Sequence, residues 1–326
     1  MSHNAVNTNN KKSLSIIVPA YNEHEVLSSF HHRTVAVIDK IGVDAEFIYV
    51  NDGSDDETLA DMEALKRLDS RVAIVDLSRN FGKEIAMTAG LDHSNGDAVI
   101  VIDADLQDPP ELIPELYQYW QDGFDVVYAQ RIAREGETAL KRLTARYFYQ
   151  IINSIGGVEI PKDTGDFRLL SRRAVESLKQ LNEQHRFMKG LFAWIGYPQK
   201  AVRYHRDARF AGRTKWNYWK LWNFAIEGIT SFTIAPLKIA TYIGLVTAGF
   251  AISYGLFIIS KTLIYGNPVA GYPSLIVVIL FLGGAQLITL GVMGEYLGRM
   301  FNEVKQRPLY LINQYLPARR LTKEMP

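Results

Sequence analysis

Two long apolar runs near the C-terminal end constrain the fold of this chain more than any other feature. No charged residue occurs over residues 239–260, and a second uncharged run extends over residues 274–294. Each run reaches the ~20 residues that a helix needs to cross a bilayer. Helices in the core of soluble proteins are seldom so long and so uniformly apolar, which makes a large soluble core the weaker alternative. The sequence therefore predicts two transmembrane helices in a hairpin over residues 233–300.

Positive charges flank the two runs unequally. The loop between them carries Lys261, whereas Lys238 and the basic stretch over residues 203–220 precede the first run. A further basic group follows the second run: Arg299, Lys305, Arg307, Arg319, Arg320 and Lys323. Because basic loops stay on the cytoplasmic side, we expect a multi-pass inner-membrane protein with both ends cytoplasmic and residues 301–326 as a cytoplasmic basic tail. Small residues in the second run permit close helix packing and predict a homo-oligomer: Gly283, Gly284, Ala285, Gly291 and Gly294.

The amino-acid composition argues against several kinds of partner, site and targeting segment. The formal net charge is +1, which gives no support to a nucleic-acid partner. The chain has no cysteine, so disulfides and thiolate metal sites are excluded. Residues 1–12 are polar and have no apolar core. They predict a disordered lead rather than a secretory signal peptide.

Before the apolar runs, short strand-like segments alternate with helical ones. Apolar stretches predict strands over residues 14–18, 46–50, 72–75, 98–102 and 126–129, with helices over residues 56–68, 83–93 and 110–121. This alternation predicts an α/β domain with a mostly parallel sheet and flanking helices. Polar clusters over residues 21–23, 51–53 and 103–105 follow the predicted strands. Ligands bind at that edge of such sheets, so we expect these clusters to converge there.

Two amphipathic segments carry aromatic residues beside cations. For residues 138–155, a helix at the membrane interface and an ordinary core-facing helix are equally open. Residues 216–232 contain Trp216, Trp219 and Trp222 and directly precede the first apolar run. This second segment predicts an amphipathic helix in the headgroup layer.

The pair Asp103 and Asp105 directly follows a predicted strand. Two carboxylates at a strand end can offer oxygens to a hard divalent cation, and Gln107 could add a carbonyl oxygen. Such an ion would neutralise a leaving diphosphate. Taken alone, the pair is weak evidence, since acidic residues at strand ends often cap helices.

Several spaced motifs together resemble one enzyme family. The sequences PAYNE (19–23), NDGS (51–54) and DADLQDPPE (103–111) are similar to those of family 2 glycosyltransferases with a GT-A fold. Further motifs resemble the polyprenyl-phosphate branch of that family: RNFGKE (79–84), TGDFRL (164–169), GRTKW (212–216) and GEYLGR (294–299). That branch includes dolichyl-phosphate mannose synthase and, more similar still, the bactoprenol glucosyltransferases of O-antigen modification. The resemblance implies a GT-A catalytic domain over residues 13–215.

The resemblance also implies roles for single residues. Six would hold the donor nucleotide: Pro19, Tyr21, Glu23, Asp52, Asp103 and Ala104. Asp105 and Gln107 would bind Mg²⁺ or Mn²⁺, and Arg131, Arg209 and Lys215 would meet the acceptor phosphate. Asp166 would lie at the reacting centre, where it would orient a substrate or remove a residual proton. Structural alternatives stay open for three of them: Asp52 could cap a helix near Asp56, Arg131 could pair with Glu135, and Asp166 could be a loop carboxylate paired with Arg168.

The reaction implied is inverting transfer of glucose from UDP-glucose to undecaprenyl phosphate at the cytoplasmic membrane face. One enzymatic alternative is transfer of an aminosugar, such as a formamido-arabinose, to the same lipid. A processive polysaccharide synthase would carry a Gln-x-x-Arg-Trp motif and more spans, and the chain shows neither. A non-enzymatic membrane scaffold or lipid flippase would have no need for Asp103 and Asp105.

Overall fold

The computed structural model describes residues 12–132, 161, 164–184, 186–204, 235–265 and 271–319. Eight strands form one sheet in the spatial order β7-β5-β6-β4-β1-β2-β3-β8. The strands are β1 Ser13–Ala20, β2 Asp44–Asn51, β3 Val72–Leu77, β4 Ala98–Val101, β5 Val126–Arg131, β6 Thr164–Ser171, β7 Gln199–Tyr204 and β8 Ile312–Leu316. The helices are α1 His24–Ile41, α2 Thr58–Leu68, α3 Lys83–Asp92, α4 Ile113–Gln121, α5 Arg172–Lys179, α6 Met188–Trp194, α7 Ala235–Tyr265 and α8 Tyr272–Val304, with a 3₁₀ turn over Pro110–Leu112 before α4.

The centre of the sheet is parallel. Strand β1 pairs in parallel with β2 and with β4, and β2 pairs in parallel with β3. Strands β1, β3 and β4 are buried along their whole length, as expected for strands covered on both faces. Strand β6 runs antiparallel to both β4 and β5. The predicted α/β domain with a mostly parallel sheet is confirmed, although β1 passes through Pro19 instead of ending before it.

Apolar cores lie on both faces of the sheet. One contains Phe30 of α1, Met62 of α2 and Leu116 of α4. The other contains Met87 of α3 and Val175 of α5. All five of these side chains are fully buried. The flanking helices therefore form two layers, which fix the loops at the carboxyl ends of the central strands.

Helices α7 and α8 carry the two apolar runs. Within the described residues, one segment, Ile239–Phe257, is long and apolar enough to cross a membrane, with a mean hydropathy of 1.5. Large apolar side chains on both helices are exposed, such as Phe250 and Leu287. The comparable prediction for α8 is not confirmed by that measure. The amphipathic segments 138–155 and 216–232 lie outside the described residues.

The chain after α8 differs from the predicted basic tail over residues 301–326. Strand β8 pairs antiparallel with β3 and forms an edge of the eight-stranded sheet. Lys66 Nζ donates to the carbonyl oxygen of Pro317 at 2.6 Å, and the Tyr310 hydroxyl donates to Asp92 Oδ2 at 2.8 Å. The pairing satisfies backbone groups that an edge strand would leave open. Residues 312–316 thus belong to the sheet, more than a hundred residues along the chain from its other strands.

Candidate active site

Two loops are joined at the carboxyl ends of β1 and β2. The Asn22 N–H donates to Ser54 Oγ at 3.1 Å, and the Glu23 N–H donates to Thr58 Oγ1 at 2.9 Å. Asn22 has a φ of 56°, a conformation that few residues other than glycine adopt. The structure therefore brings together the predicted donor residues that follow β1 and the NDGS turn that follows β2. Tyr21 stands exposed beside Asn22.

Asp52 ties this region to a third loop. Its buried carboxylate accepts hydrogen bonds from the N–H groups of Phe81 at 2.7 Å and Gly82 at 2.9 Å. Burial raises the pKa of Asp52, while these two N–H groups act in the opposite direction. The carboxylate thus holds the start of α3. The alternative cap near Asp56 is not observed, since the first N–H of α2 donates to Asp56 itself.

A cation joins the two central carboxylates of the site. Lys83 Nζ lies 2.7 Å from a carboxylate oxygen of Asp103, at the end of β4, and 2.5 Å from Asp166 Oδ2, at the start of β6. Burial alone would lower the pKa of Lys83, but the charges of Asp103 and Asp166 outweigh it and raise the pKa. Burial likewise opposes ionisation of Asp166, but Lys83 and Lys189 hold its pKa well below the usual range. Both ions of the Lys83–Asp166 pair are therefore charged near neutral pH.

Further charges surround Asp166. It lies within strand β6 rather than in a loop, and Arg168 donates to the backbone carbonyls of Gly165 and Asp166 instead of pairing with the Asp166 carboxylate. Glu84 Oε2 accepts the Met188 N–H at 3.1 Å. Burial and the charge of Asp166 raise the pKa of Glu84 to about 7. Acidic and basic side chains, among them Lys83, Glu84 and Asp166, therefore lie close together on one side of the candidate site.

Arg131 lies at the end of β5, the strand that pairs with β6. Its Nε donates to the Tyr204 hydroxyl at 3.2 Å, and its guanidinium lies 3.7 Å from the fully buried Asp108. The Tyr204 hydroxyl in turn donates to Asp108. Gly165 passes closely beneath, since a Cβ there would lie 2.9 Å from the guanidinium. Arg131 is therefore oriented by Asp108 and Tyr204, while its proposed alternative partner Glu135 lies outside the described residues.

Asp105 and Gln107 offer oxygen atoms to a divalent ion in the loop after β4. Asp105 Oδ1 accepts the Gln107 N–H at 3.1 Å, and the buried Gln107 Oε1 has no hydrogen-bond partner among the described residues. A buried carbonyl oxygen without a partner is costly unless something binds it. No group of three His, Cys, Asp or Glu side chains in the described part of the chain is arranged to hold a metal. The two residues fit an ion that takes its other ligands from a phosphate and water.

Three residues of this site were missed by sequence reasoning. Lys83 belongs to the RNFGKE motif but received no role, and Asp108 and Tyr204 were given none. Lys83 starts a helix directly after a glycine, which is a signal for a side chain at a ligand-binding loop. Nothing in the sequence pairs Asp108 with Tyr204, which lies 96 residues away. Ala104 is buried beside Asp103, and the predicted phosphate ligands Arg209 and Lys215 lie outside the described residues.

Comparison with known proteins identifies relatives over most of the chain. The family model described as glycosyl transferase family 2 matches residues 15–179. An uncharacterized glycosyltransferase of Synechocystis sp. is 53% identical over 94% of this chain and 98% of its own length. The SfII prophage-derived bactoprenol glucosyl transferase of Shigella flexneri is 50% identical over 92% of this chain and 97% of its own length.

The fold was also compared with solved structures. Glucosyl-3-phosphoglycerate synthase from Mycobacterium tuberculosis, in complex with Mn²⁺, UDP-glucose and phosphoglyceric acid, matches 67% of this chain and 78% of its own. The TM-score is 0.48 and the sequence identity 21%. Nothing about the ligands of this chain follows from so distant a likeness.

Proposed function

Because the chain belongs to glycosyl transferase family 2 and is a GT-A glycosyltransferase, we propose that it transfers a hexose from a nucleotide-sugar to polyprenyl phosphate. The donor proposed is UDP-glucose and the acceptor undecaprenyl phosphate. The main observation behind the proposal is that Lys83 forms ion pairs with both Asp103 and Asp166 at the ligand-binding edge of the sheet. Relatives that are 50% identical and named bactoprenol glucosyl transferases support the acceptor class.

The proposed chemistry is a single in-line displacement with inversion. An oxygen of the acceptor phosphate forms a bond to the anomeric carbon while the bond from that carbon to the diphosphate oxygen breaks, and the nucleoside diphosphate leaves. The acceptor is already anionic, so no strong base is required. The low pKa of Asp166 suits a carboxylate that orients substrate more than one that removes a proton. Positioning of the two reactants would supply most of the rate.

The proposed substrates are anions, and they must bind beside two carboxylates of the site. Acceptor phosphate and leaving diphosphate both approach Asp103 and Asp166, and Lys83 offsets part of that repulsion. Arg131 is held at the edge of the site and would contact the acceptor phosphate, for which a guanidinium fork is well suited. We assign the same role to Arg209 and Lys215. Pro19, Tyr21, Glu23, Asp52, Asp103 and Ala104 remain our proposed contacts to the donor nucleotide.

A divalent ion, Mg²⁺ or Mn²⁺, would be held by Asp105 and Gln107. The unpartnered Gln107 Oε1 supports this assignment. When bound, such an ion neutralises charge on a leaving diphosphate. Full turnover in the presence of EDTA would contradict the metal assignment, and Asp105→Asn is expected to abolish metal-dependent turnover.

The membrane setting is proposed as well. The exposed apolar side chains of α7 and α8 support contact with lipid, which would bring the polyprenyl chain and the sheet together. We propose an inner-membrane protein with its catalytic domain cytoplasmic, forming a homo-oligomer. The scaffold and flippase alternatives gain no support from the charged cluster around Lys83.

One experiment tests the proposed reaction. Membranes containing the protein are incubated with undecaprenyl phosphate and each of a panel of nucleotide-sugars, and the lipid products are analysed by mass spectrometry. The expected product is a lipid phosphate heavier by one hexose, formed from UDP-glucose. A product formed only from an aminosugar donor would favour that alternative, and no lipid product from any donor would refute the proposal. Asp166→Asn provides the inactive control.

A further inference from the structure

The strand that follows the helix pair contributes to a buried polar network in the catalytic domain. Asp76, on β3, is almost fully buried and carries a carboxylate that requires partners. Its Oδ1 accepts the Asn51 side-chain amide at 2.7 Å, and its Oδ2 accepts the Asn313 side-chain amide at 2.7 Å. Asn313 lies on β8, 237 residues from Asp76. One of these two hydrogen bonds to the buried carboxylate therefore comes from beyond α7 and α8.

The network continues into the loops of the candidate donor site. Asn51 Oδ1 accepts the Ser54 N–H at 3.2 Å, which closes the turn after β2. Ser54 Oγ accepts the Asn22 N–H at 3.1 Å, which holds Asn22 at its positive φ between Tyr21 and Glu23. Four hydrogen bonds thus connect Asn313 to the loop after β1. Each of these groups orients the next, so a change at Asn313 reaches the loop through groups with few alternative partners.

We propose that β8 helps to orient the donor site and that Asn313 is a positioning residue for the donor nucleotide. Asn313 fixes the Asp76 carboxylate, which fixes the Asn51 amide and so the turn on which the nucleotide would rest. The inference rests on the proposed function, since it assigns the loops after β1 and β2 to a nucleoside diphosphate. Its consequence is that the catalytic domain reaches full donor affinity only with the segment that follows the helix pair.

The test compares full-length variants in detergent. Binding of UDP is measured by calorimetry, and KM values for UDP-glucose and undecaprenyl phosphate are measured well below the melting temperature. Asn313→Ala is expected to raise the Kd for UDP about three- to ten-fold, because the hydrogen bond to the Asp76 carboxylate is lost and only part of its free energy reaches the nucleotide through the network. The KM for the lipid acceptor and kcat are expected to stay unchanged. Gln118→Ala on α4, which removes an exposed amide-to-carboxylate hydrogen bond to Asp122 away from the network, is the matched control.

Exchanging the side chains of positions 76 and 313 distinguishes a positioning role of Asn313 from a general loss of stability. In Asn313→Asp, two carboxylates face each other, so this variant is expected to bind UDP more weakly. In Asp76→Asn, the Asn313 amide can rotate and accept from the amide introduced at position 76, so this variant is expected to keep its UDP affinity. In the double variant, the amide introduced at position 76 can accept from Asn51 and donate to the carboxylate introduced at position 313, which restores both hydrogen bonds. Recovery of UDP affinity in the double variant is the expected result. Failure of the double variant to recover would overturn the proposal.

A second control tests whether packing of the segment after α8 against the domain is enough to explain the effect. Tyr310→Phe removes the hydrogen bond to Asp92, which lies outside the network, and is expected to lower the melting temperature without altering the Kd for UDP. If Asn313→Ala behaves like Tyr310→Phe, β8 has only a structural role and the inference fails. If the unchanged protein binds no UDP, the proposed function fails instead. The two failures are therefore distinguishable.

Discussion

At the scale of single residues, the balance of charge in the site depends on Lys83. Asp103 follows β4 and Asp166 lies in β6, and these two strands are neighbours in the sheet but far apart in the sequence. Without Lys83, two carboxylates would face each other across a site built for anionic substrates. Like charges at such a separation repel and favour protonation of one of them. Burial raises the pKa of Asp103, and the Lys83 ammonium group opposes that rise while it holds both carboxylates in place.

Replacing Lys83 by methionine tests this role. Lys83→Met loses two charge-assisted hydrogen bonds, and we expect it to lower kcat/KM by at least about 10- to 100-fold, the effect of losing one such bond. Lys83→Arg keeps the charge and is expected to recover part of the activity. Steady-state kinetics with both substrates provide the measurement. Lys40→Met, at an exposed position in the last turn of α1, is the matched control. Equal kcat/KM for the Lys83→Met and Lys40→Met variants would contradict the assignment.

Glu84 gives the folded protein a pH dependence. Its pKa is about 7 in the folded state against a usual value of 4.5, because burial and the charge of Asp166 disfavour the ionised form. The folded state therefore binds more protons than the unfolded state between these values, and stability declines as the pH rises through that window. Glu84→Gln stays neutral and can still accept the Met188 N–H. We expect this variant to lose that decline, which amounts to at most about 1.4 kcal/mol per pH unit.

Thermal unfolding of both proteins at several pH values measures the effect. The melting temperature of Glu84→Gln is expected to rise relative to the unchanged protein from about pH 5 to about pH 8. Glu115→Gln, at an exposed position on α4, is the control and is expected to run parallel to the unchanged protein. A constant difference between Glu84→Gln and the unchanged protein across the range would rule out titration of Glu84.

At the scale of elements, the site depends on two loops that approach at backbone distance. Gly53 has a φ of 65°, and a Cβ at this position would lie 2.4 Å from the backbone of Arg79 and Asn80. Gly42 has a similar φ of 72°, but a Cβ there would meet nothing within 4 Å. Both glycines thus have a left-handed backbone conformation, and Gly53 differs from Gly42 in also lying against the backbone of another loop.

Alanine at each position separates the two effects. Gly42→Ala carries the cost of a left-handed conformation, about 1–2 kcal/mol. Gly53→Ala carries the same cost and in addition forces the loops apart, which we expect to add about 1–3 kcal/mol and to weaken UDP binding. Thermal unfolding and calorimetry measure both. Equal losses of stability in the two variants would show that the loops are not in contact at Gly53.

The elements also show what the sequence could predict. Strands β1 to β5 were predicted because apolar runs mark strands buried on both faces. Strand β6 was not predicted as a strand because it buries two charged residues, Asp166 and Arg168. Lys83 of α3 pairs with Asp166, and Arg168 donates to backbone carbonyls of β6 itself, and neither arrangement is visible in a local pattern. Strand β8 was missed because its partner β3 precedes it by more than 200 residues, and its exposed side chains show no pattern. Pairing at that range is set by tertiary contacts, which local patterns do not encode.

At the scale of the whole molecule, the sheet constrains how the helices can sit in a membrane. Strands β1 to β7 precede α7, and β8 follows α8, yet all belong to one sheet. Both ends of the helix pair must therefore lie on the same side of any membrane. If Ile239–Phe257 crosses, a second crossing must follow before β8, and α8 is the described helix long enough to make it, at ~1.5 Å per residue.

This constraint predicts the labelling pattern of single cysteines. The chain has no cysteine, so each introduced thiol reports on one position. Asn267→Cys lies between the two helices, and Gln306→Cys lies between α8 and β8. In intact cells, a membrane-impermeant maleimide that enters the periplasm is expected to label position 267 and to leave position 306 unlabelled until the membrane is disrupted. The basic residues that follow α8 favour the same orientation. Labelling of position 306 alone in intact cells would reverse the orientation, and protection of both positions until disruption would mean that the helix pair does not cross.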